Sequence, residues 1–236
     1  MRNILYIFSS LLLLLSCNKE QLVSETYEVT GSFEILTLDD RFDVILTQDT
    51  IESILISGDP KMIRKVDWHI ENKELHIESS FKNAWMKPGK NRITLHISVK
   101  NLKRINVNQT CDISCSNELT CPELGIITTG KMSVANLKLN CNSFYTWNNF
   151  PCGGKLTLSG SVNQLKLWNY ALMQIDAIDL TSNEAYIENY SKGSIKTTIT
   201  NALTYKINGE GDIYLQGNPP TIVKISEENT GKLVLL

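Results

Sequence analysis

The chain has 236 residues, 42% of them hydrophobic and 20% charged, and a formal net charge of −2. That length suits one large domain or two small ones, and the composition is ordinary for a soluble protein. There is no basic stripe and no run of a single sign, which excludes a nucleic-acid binder and an electrostatic tail.

Arg2 and the apolar stretch 4–15 read as a secretory signal, too short to span a membrane, which takes about 20 apolar residues. The stretch closes on Leu14-Leu15-Ser16-Cys17, which resembles the lipobox of bacterial lipoproteins. That resemblance implies cleavage after residue 16, lipidation of Cys17 and a protein anchored to a membrane rather than spanning it. It also implies a Gram-negative envelope, and Asn18, where aspartate would signal inner-membrane retention, favours the outer membrane. The alternative is an ordinary secretory signal with a chance cysteine.

Residues 17–26 are polar and read as a tether, after which Tyr27 opens a β-rich stretch. Residues 33–38, 42–47 and 51–56 alternate apolar and polar side chains between polar turns, which predicts three successive strands. Asp59-Pro60 supplies an N-cap and a proline at the first helical position, so one helical turn is expected over 61–65. Asn72-Lys73 is a two-residue hairpin turn whose register pairs Ile70 with Leu75 and Trp68 with Ile77 on the buried face. Residues 86–90 read as a loop and 92–99 as another alternating strand. No linker follows, so 27–100 is expected to form an antiparallel β cap on the open end of a stack made by 101–236.

That stack is announced by a repeat. Ile113, Met132, Leu156, Ile175, Ile195, Ile213 and Leu233 follow one another at steps of 19, 24, 19, 20, 18 and 20 residues. Two positions after each stand Cys115, Val134, Leu158, Ala177, Thr197, Leu215 and Leu235, and a second column holds Leu102, Leu124, Phe144, Leu165, Ala185 and Leu203. Alternation of period 2 inside a period of about 20 is the mark of stacked β-rungs, so 27–236 is read as a single all-β solenoid domain. Asn148, Asn169 and Asn189 each follow the second column by four residues and so turn inward at one corner, where stacked amides can hydrogen-bond along the column. Their expected role is structural. The rung from Phe144 is the longest, with a projecting loop expected at 150–154.

Of six cysteines, five remain beyond Cys17. Cys121 and Cys141 stand three residues before Leu124 and Phe144, which stacks them in adjacent rungs about 4.8 Å apart, within disulfide reach. The alternative is a filled apolar column that continues through Val162. Cys111 and Cys115, with no histidine near them in sequence, do not make a zinc site.

Gly31-Ser32-Phe33-Glu34-Ile35 with Phe42-Asp43-Val44-Ile45-Leu46, and the closing Gly209-Glu210-Gly211-Asp212-Ile213-Tyr214 ahead of Gly217-Asn218-Pro219-Pro220, resemble a bacterial envelope family, the auto-transporter adhesin head GIN domain. The resemblance covers about 27–236. It implies a right-handed parallel β-helix-like fold in a secreted or lipid-anchored protein, and it carries over no catalytic residue.

Alternation that turns Asn169 inward turns its neighbours outward. Trp147 with Trp168, Tyr170 with Tyr190 and Tyr145 with Tyr186 fall in three outward columns, interleaved by Asn149, Lys166 and Glu188. Six aromatics on one face make a candidate surface for a glycan or a protein partner, since flat rings suit sugar rings and their hydroxyls add hydrogen bonds. The alternatives are that the 150–154 loop or the cap packs over the face, or that it is a contact between copies in an oligomer. An enzyme would need two or three carboxylates converging on one rung face. Asp112, Asp176, Asp179, Glu184, Glu188, Glu210 and Asp212 are spread along the rungs, which favours a non-enzymatic binding role without cofactors over a polysaccharide-acting enzyme; a purely structural envelope protein, with the aromatic face buried, is the other alternative. His69 faces His76 across the hairpin, but two ligands without a third do not make a metal site.

Overall fold

The computed structural model describes residues 22–29, 31–80, 92–149 and 152–236. The signal stretch, Cys17 and the loop expected at 86–90 lie outside these residues.

The described chain opens with β1 (Val23–Glu28), β2 (Ile35–Leu38), β3 (Asp43–Gln48) and β4 (Ser53–Gly58). One helical turn follows, α1 (Pro60–Ile63), and then β5 (Val66–Glu71), β6 (Glu74–Ser79) and β7 (Thr94–Val99). The Asp59 carboxylate accepts the Lys61 N–H at 2.7 Å with Pro60 starting the helix, the cap its sequence dictates. Asn72 and Lys73 both take positive φ, 50° and 64°, as a two-residue type I′ turn requires. The resulting register pairs Ile70 with Leu75 and Trp68 with Ile77.

Ten further strands build the stack: β8 (Arg104–Val107), β9 (Asp112–Cys115), β10 (Leu119–Thr128), β11 (Ser133–Asn148), β12 (Gly153–Asn169), β13 (Leu172–Asn189), β14 (Ile195–Ile207), β15 (Ile213–Gln216), β16 (Thr221–Glu227) and β17 (Leu233–Leu235). Strands β11 to β13 are 16, 17 and 18 residues long and bend, so each serves two faces of the solenoid. One face stacks β7, β3, β9, the first parts of β11 to β14, then β15 and β17 in parallel. The other stacks β6, β2, β8, β10, the second parts of β11 to β14, then β16. A continuous apolar core runs between them from Phe33 to Leu215.

The antiparallel portion is narrower than 27–100. Antiparallel pairing joins β1 to β4, β4 to β7 and β5 to β6, whereas β2, β3, β6 and β7 run parallel and count as rungs. Leu36 lies between Leu75 and Ile105, and Val44 between Leu95 and Ile113. The chain thus enters the stack at β2 and β3, moves outward to its end, returns as β6 and β7, and skips across to β8 and β9. Local alternation dictates that these segments are strands; it does not say which strand lies beside which. The tether is also shorter than 17–26, because β1 pairs with β4 from Val23 onward. Its side chains are nearly all exposed, so an edge strand there has the composition of a linker.

One rung slips from its expected register. Ile113 stacks on Ala135, not on Met132, and Ala135 on Leu156. Met132 is 61% exposed and Val134, outward beside Asp112, is 44% exposed. The inward place is taken by a small alanine that a search for large apolar residues passes over. The correct stacking removes the irregular step, and with it most of the loop expected at 150–154: Phe150 and Pro151 lie outside the described residues, Cys152 is buried, and Gly153 and Gly154 open β12. Gly154 (φ +123°) and Gly160 (φ +102°) make this strand's bends; a Cβ would fall 1.8 Å from the Ser133 carbonyl oxygen and 2.1 Å from that of Leu139.

Candidate functional site

In the second sheet the inward residues alternate with two outward columns. One runs Gly125, Tyr145, Lys166, Tyr186 and Thr204; the other runs Ile127, Trp147, Trp168, Glu188 and Lys206. Tyr170 and Tyr190 follow one residue beyond the strand-ending asparagines, with ring centroids 4.8 Å apart and planes 27° apart. All six aromatic side chains are half-buried. Their mutual cover accounts for part of this: Trp168 tilts against Tyr186 at 6.2 Å, and the Lys206 ammonium sits 5.1 Å over the Tyr190 ring. Tyr145 lies on Gly125, where a Cβ would fall 2.0 Å from its ring.

The asparagines behind this face form an inward column without any exposure. Asn148 Nδ2 donates to Asn169 Oδ1 at 3.0 Å, and Asn169 Nδ2 donates to Asn189 Oδ1 at 3.1 Å. Asn189 Nδ2 closes the column on the carbonyl oxygens of Gly193 and Gly211, at 3.1 and 2.8 Å. Asn148 Oδ1 also accepts the backbone N–H groups of Tyr170 and Ala171, each at 3.0 Å. The ladder therefore satisfies corner backbone groups that a solenoid turns inward, and it fixes the backbone that carries Tyr170.

Glu188 stands at the centre of the face, a role that its sequence position alone did not announce. Tyr170 Oη donates to Oε2 at 2.8 Å and Tyr186 Oη to Oε1 at 2.6 Å. Burial pushes the carboxyl up, but the two phenol hydroxyls, Lys206 and the Trp168 indole outweigh it, so the net displacement is downward. The same hydrogen bond, with burial behind it, raises the Tyr186 phenol to about 12. Burial first and the bond to Glu188 second raise Tyr170 as well. A carboxylate held ionised is an acceptor, not a proton donor. The signal that marks it is its place in the Trp147–Trp168 column with Tyr186 and Tyr190 two residues to either side.

Several of the remaining carboxylates have a cation or a hydroxyl as partner. Arg92 bridges Asp43 and Asp112, register partners in an open groove of about 470 Å³ that also includes Ser114 and Asn136. Asp176 pairs with Lys155 and Glu210 with Lys192, while Asp212 accepts from Tyr214. Across the hairpin His69 and His76 stack at 4.9 Å, with His76 3.6 Å from Glu74 and 3.8 Å from Asp39. Among the described residues no three histidine, cysteine or carboxylate side chains gather as a metal site. Cys121 and Cys141 are register partners, present as thiols with their Sγ atoms 2.8 Å apart.

Comparison with known proteins locates this architecture. The family model described as putative auto-transporter adhesin, head GIN domain, matches residues 32–219. A putative adhesin of Bacteroides fragilis NCTC 9343 superimposes with a TM-score of 0.84 at 18% identity, covering 92% of this chain and 98% of its own. A putative adhesin of Parabacteroides distasonis ATCC 8503 gives 0.63 at 15% identity, with 92% and 98% covered. A putative lipid binding protein of the same organism gives 0.62 at 16% identity, with 89% and 96% covered. At these identities the likeness is one of fold. No curated protein is similar to the chain.

Proposed function

The chain belongs to the auto-transporter adhesin head GIN domain family, and on that premise we propose that it is a non-enzymatic, lipid-anchored envelope protein whose solenoid presents its aromatic face to a glycan. The family and its structural relatives carry adhesin or lipid-binding names, which supports a binding role at the cell envelope or surface. Cys17 is the residue that the lipid would modify, in the outer membrane.

One observation carries the reading: an ionised carboxylate fixed by phenol hydroxyls among half-exposed indole and phenol rings. Ring faces pack against the C–H face of a pyranose, and a carboxylate with roughly four acceptor positions keeps some for sugar hydroxyls after accepting from two tyrosines. Because Glu188, Tyr170 and Tyr186 hold one another in place, little ordering remains to be done on binding. The low-lying Glu188 carboxyl and the paired state of Asp112, Asp176 and Glu210 speak against acid–base cleavage of the bound sugar.

Binding of the full chain to a polysaccharide panel, by array and by pull-down, tests this. Trp147→Ala with Trp168→Ala is expected to lower retention on the best glycan at least tenfold with the fold intact by circular dichroism. Retention unchanged in that double variant would overturn the proposal. For the anchor, Cys17→Ala is expected to move the protein from the membrane to the soluble fraction, and a membrane-bound variant would refute it.

A further inference from the structure

We propose that Cys121 and Cys141 close into an inter-rung disulfide that staples β10 to β11 beside the aromatic face.

The two residues are directly opposed in a parallel ladder, Cys121 beside Cys141. Neighbouring strands at about 4.8 Å put paired Cα atoms inside the range that a disulfide spans. Their Sγ atoms already stand 2.8 Å apart, so closure to the bonded length of about 2.05 Å brings them together by less than about 1 Å. No such geometry is found at the other cysteines of the described residues. Cys111 points its thiol at the Asp40 carbonyl oxygen, Cys152 lies against Gly153, and Cys115 sits by Asn136 and Lys138. The column continues through Val162 and Ser182, so stacking alone does not call for sulfur at two successive rungs.

Access is divided between the partners. Cys121 is half-buried and open to a small disulfide reagent, while Cys141 is 6% exposed. With oxidised glutathione as oxidant, one sulfur of the pair, as thiolate, attacks a glutathione sulfur, forming a mixed disulfide and releasing one glutathione thiolate. The other, as thiolate, then attacks the first cysteine sulfur and expels the second glutathione. The two cysteine protons end on the two released thiols, and the protein is oxidised by two electrons. The bond ties the register three residues ahead of Leu124 beside Phe144, the strand pair that lays Tyr145 over Gly125. It also closes a loop of about 20 residues in the unfolded chain, which favours the folded state.

The full chain, reduced and then held in a glutathione redox buffer, is denatured, alkylated with N-ethylmaleimide and weighed intact. The expected result is two fewer alkyl groups than in the reduced protein, with a non-reduced digest joining the peptides of Cys121 and Cys141. Complete alkylation, a glutathione adduct retained on Cys121, or a link between other cysteines would each overturn the proposal. A reductant is expected to lower the melting midpoint of the oxidised protein by several degrees and to leave Cys141→Ser unmoved; an equal drop in both would count against the staple. Should that variant fail to fold, the digest of the unaltered chain decides.

Discussion

A single inward column shows how the rungs at the N-terminal end differ from those in the middle. It runs Ile77, Leu38, Val107, Thr128, Asn148, Asn169, Asn189 and Ile207. At the N-terminal end the inward residues are apolar and the side-chain ladder lies one residue later, on the outside: Asn108 donates to Asp39 at 2.7 Å, and Thr129 donates to Asn108 at 3.0 Å. In the middle rungs the amides have moved inside, and the same outward position holds Tyr170 and Tyr190. The shift has a physical reading. In the middle rungs the inward asparagines answer corner backbone groups, whereas at the N-terminal end the N–H groups of Asn108, Thr129 and Gly130 go to the backbone carbonyl oxygens of Leu38 and Val107. Amides inside leave the outer corner free for aromatic rings. The face is thus a consequence of where the ladder sits.

Two substitutions break the comparison most severely. Asn169→Leu makes the middle of the column resemble Leu38, yet it strips a partner from the Met173 carbonyl oxygen and from both neighbouring asparagines. Each buried polar group left unpaired costs about 1–3 kcal/mol, so a loss on the order of 3 kcal/mol or more is expected in urea unfolding. A gain in stability would mean that the amides are incidental to the corner. Next is Gly160→Ala. Strand β12 carries a residue at φ +102° close to a neighbouring carbonyl, which β11 and β13, similarly long, and the short N-terminal strands do without. The strained backbone alone costs about 1–3 kcal/mol, and the contact with Leu139 adds to it. An alanine variant as stable as the parent would show that the bend is soft.

Much of this was legible in the residues. The second column from Leu124 to Leu203 stacks as its spacing predicts, and the asparagine and aromatic columns follow from parity alone. What escaped has a common cause. Leu36 and Ile105 are neighbours across 69 residues of chain, and no periodicity links segments whose spacing is used once. Ala135 was hidden by its size, Val23 in β1 by the polar composition of an edge strand, and Glu188 by the ordinary behaviour of surface carboxylates. Hydrogen bonds from two tyrosines on different rungs change that behaviour, and they are visible only once the rungs are stacked.

A smaller effect sharpens the same point through pH. The Tyr186 phenol is raised to about 12 by its bond to Glu188, and Tyr205 to about 12 by burial and its bond to Glu227. A phenol raised above its unfolded value of about 10 stabilises the fold fully below that pH, and the contribution is lost between about 10 and 12. Phenolate absorbance is expected to show tyrosines ionising late in the folded chain, and Glu188→Gln is expected to bring Tyr186 down toward 10. An unchanged titration in Glu188→Gln would remove the clamp.

The least effect is expected outside, at the N-terminal end. Glu34 lies 2.9 Å from Lys73 and 2.7 Å from Lys103, both ammonium groups more than half exposed. The hydrogen bonds from Lys103 and Lys73 lower its carboxyl, so whatever it contributes is present above the ordinary glutamate range and fades as pH falls through the lowered value. Glu34→Gln is expected to leave the melting midpoint nearly where it was, because exposed pairs are weak and salt screens them within about 3 Å at 1 M. Glu188 is held mainly by hydroxyls rather than by cations. Salt should therefore erase the small difference between Glu34→Gln and the parent while leaving that of Glu188→Gln intact. Equal sensitivity of the two variants to salt would mean that both carboxylates are ordinary surface charges, and the distinction between the two regions would rest on the asparagines alone.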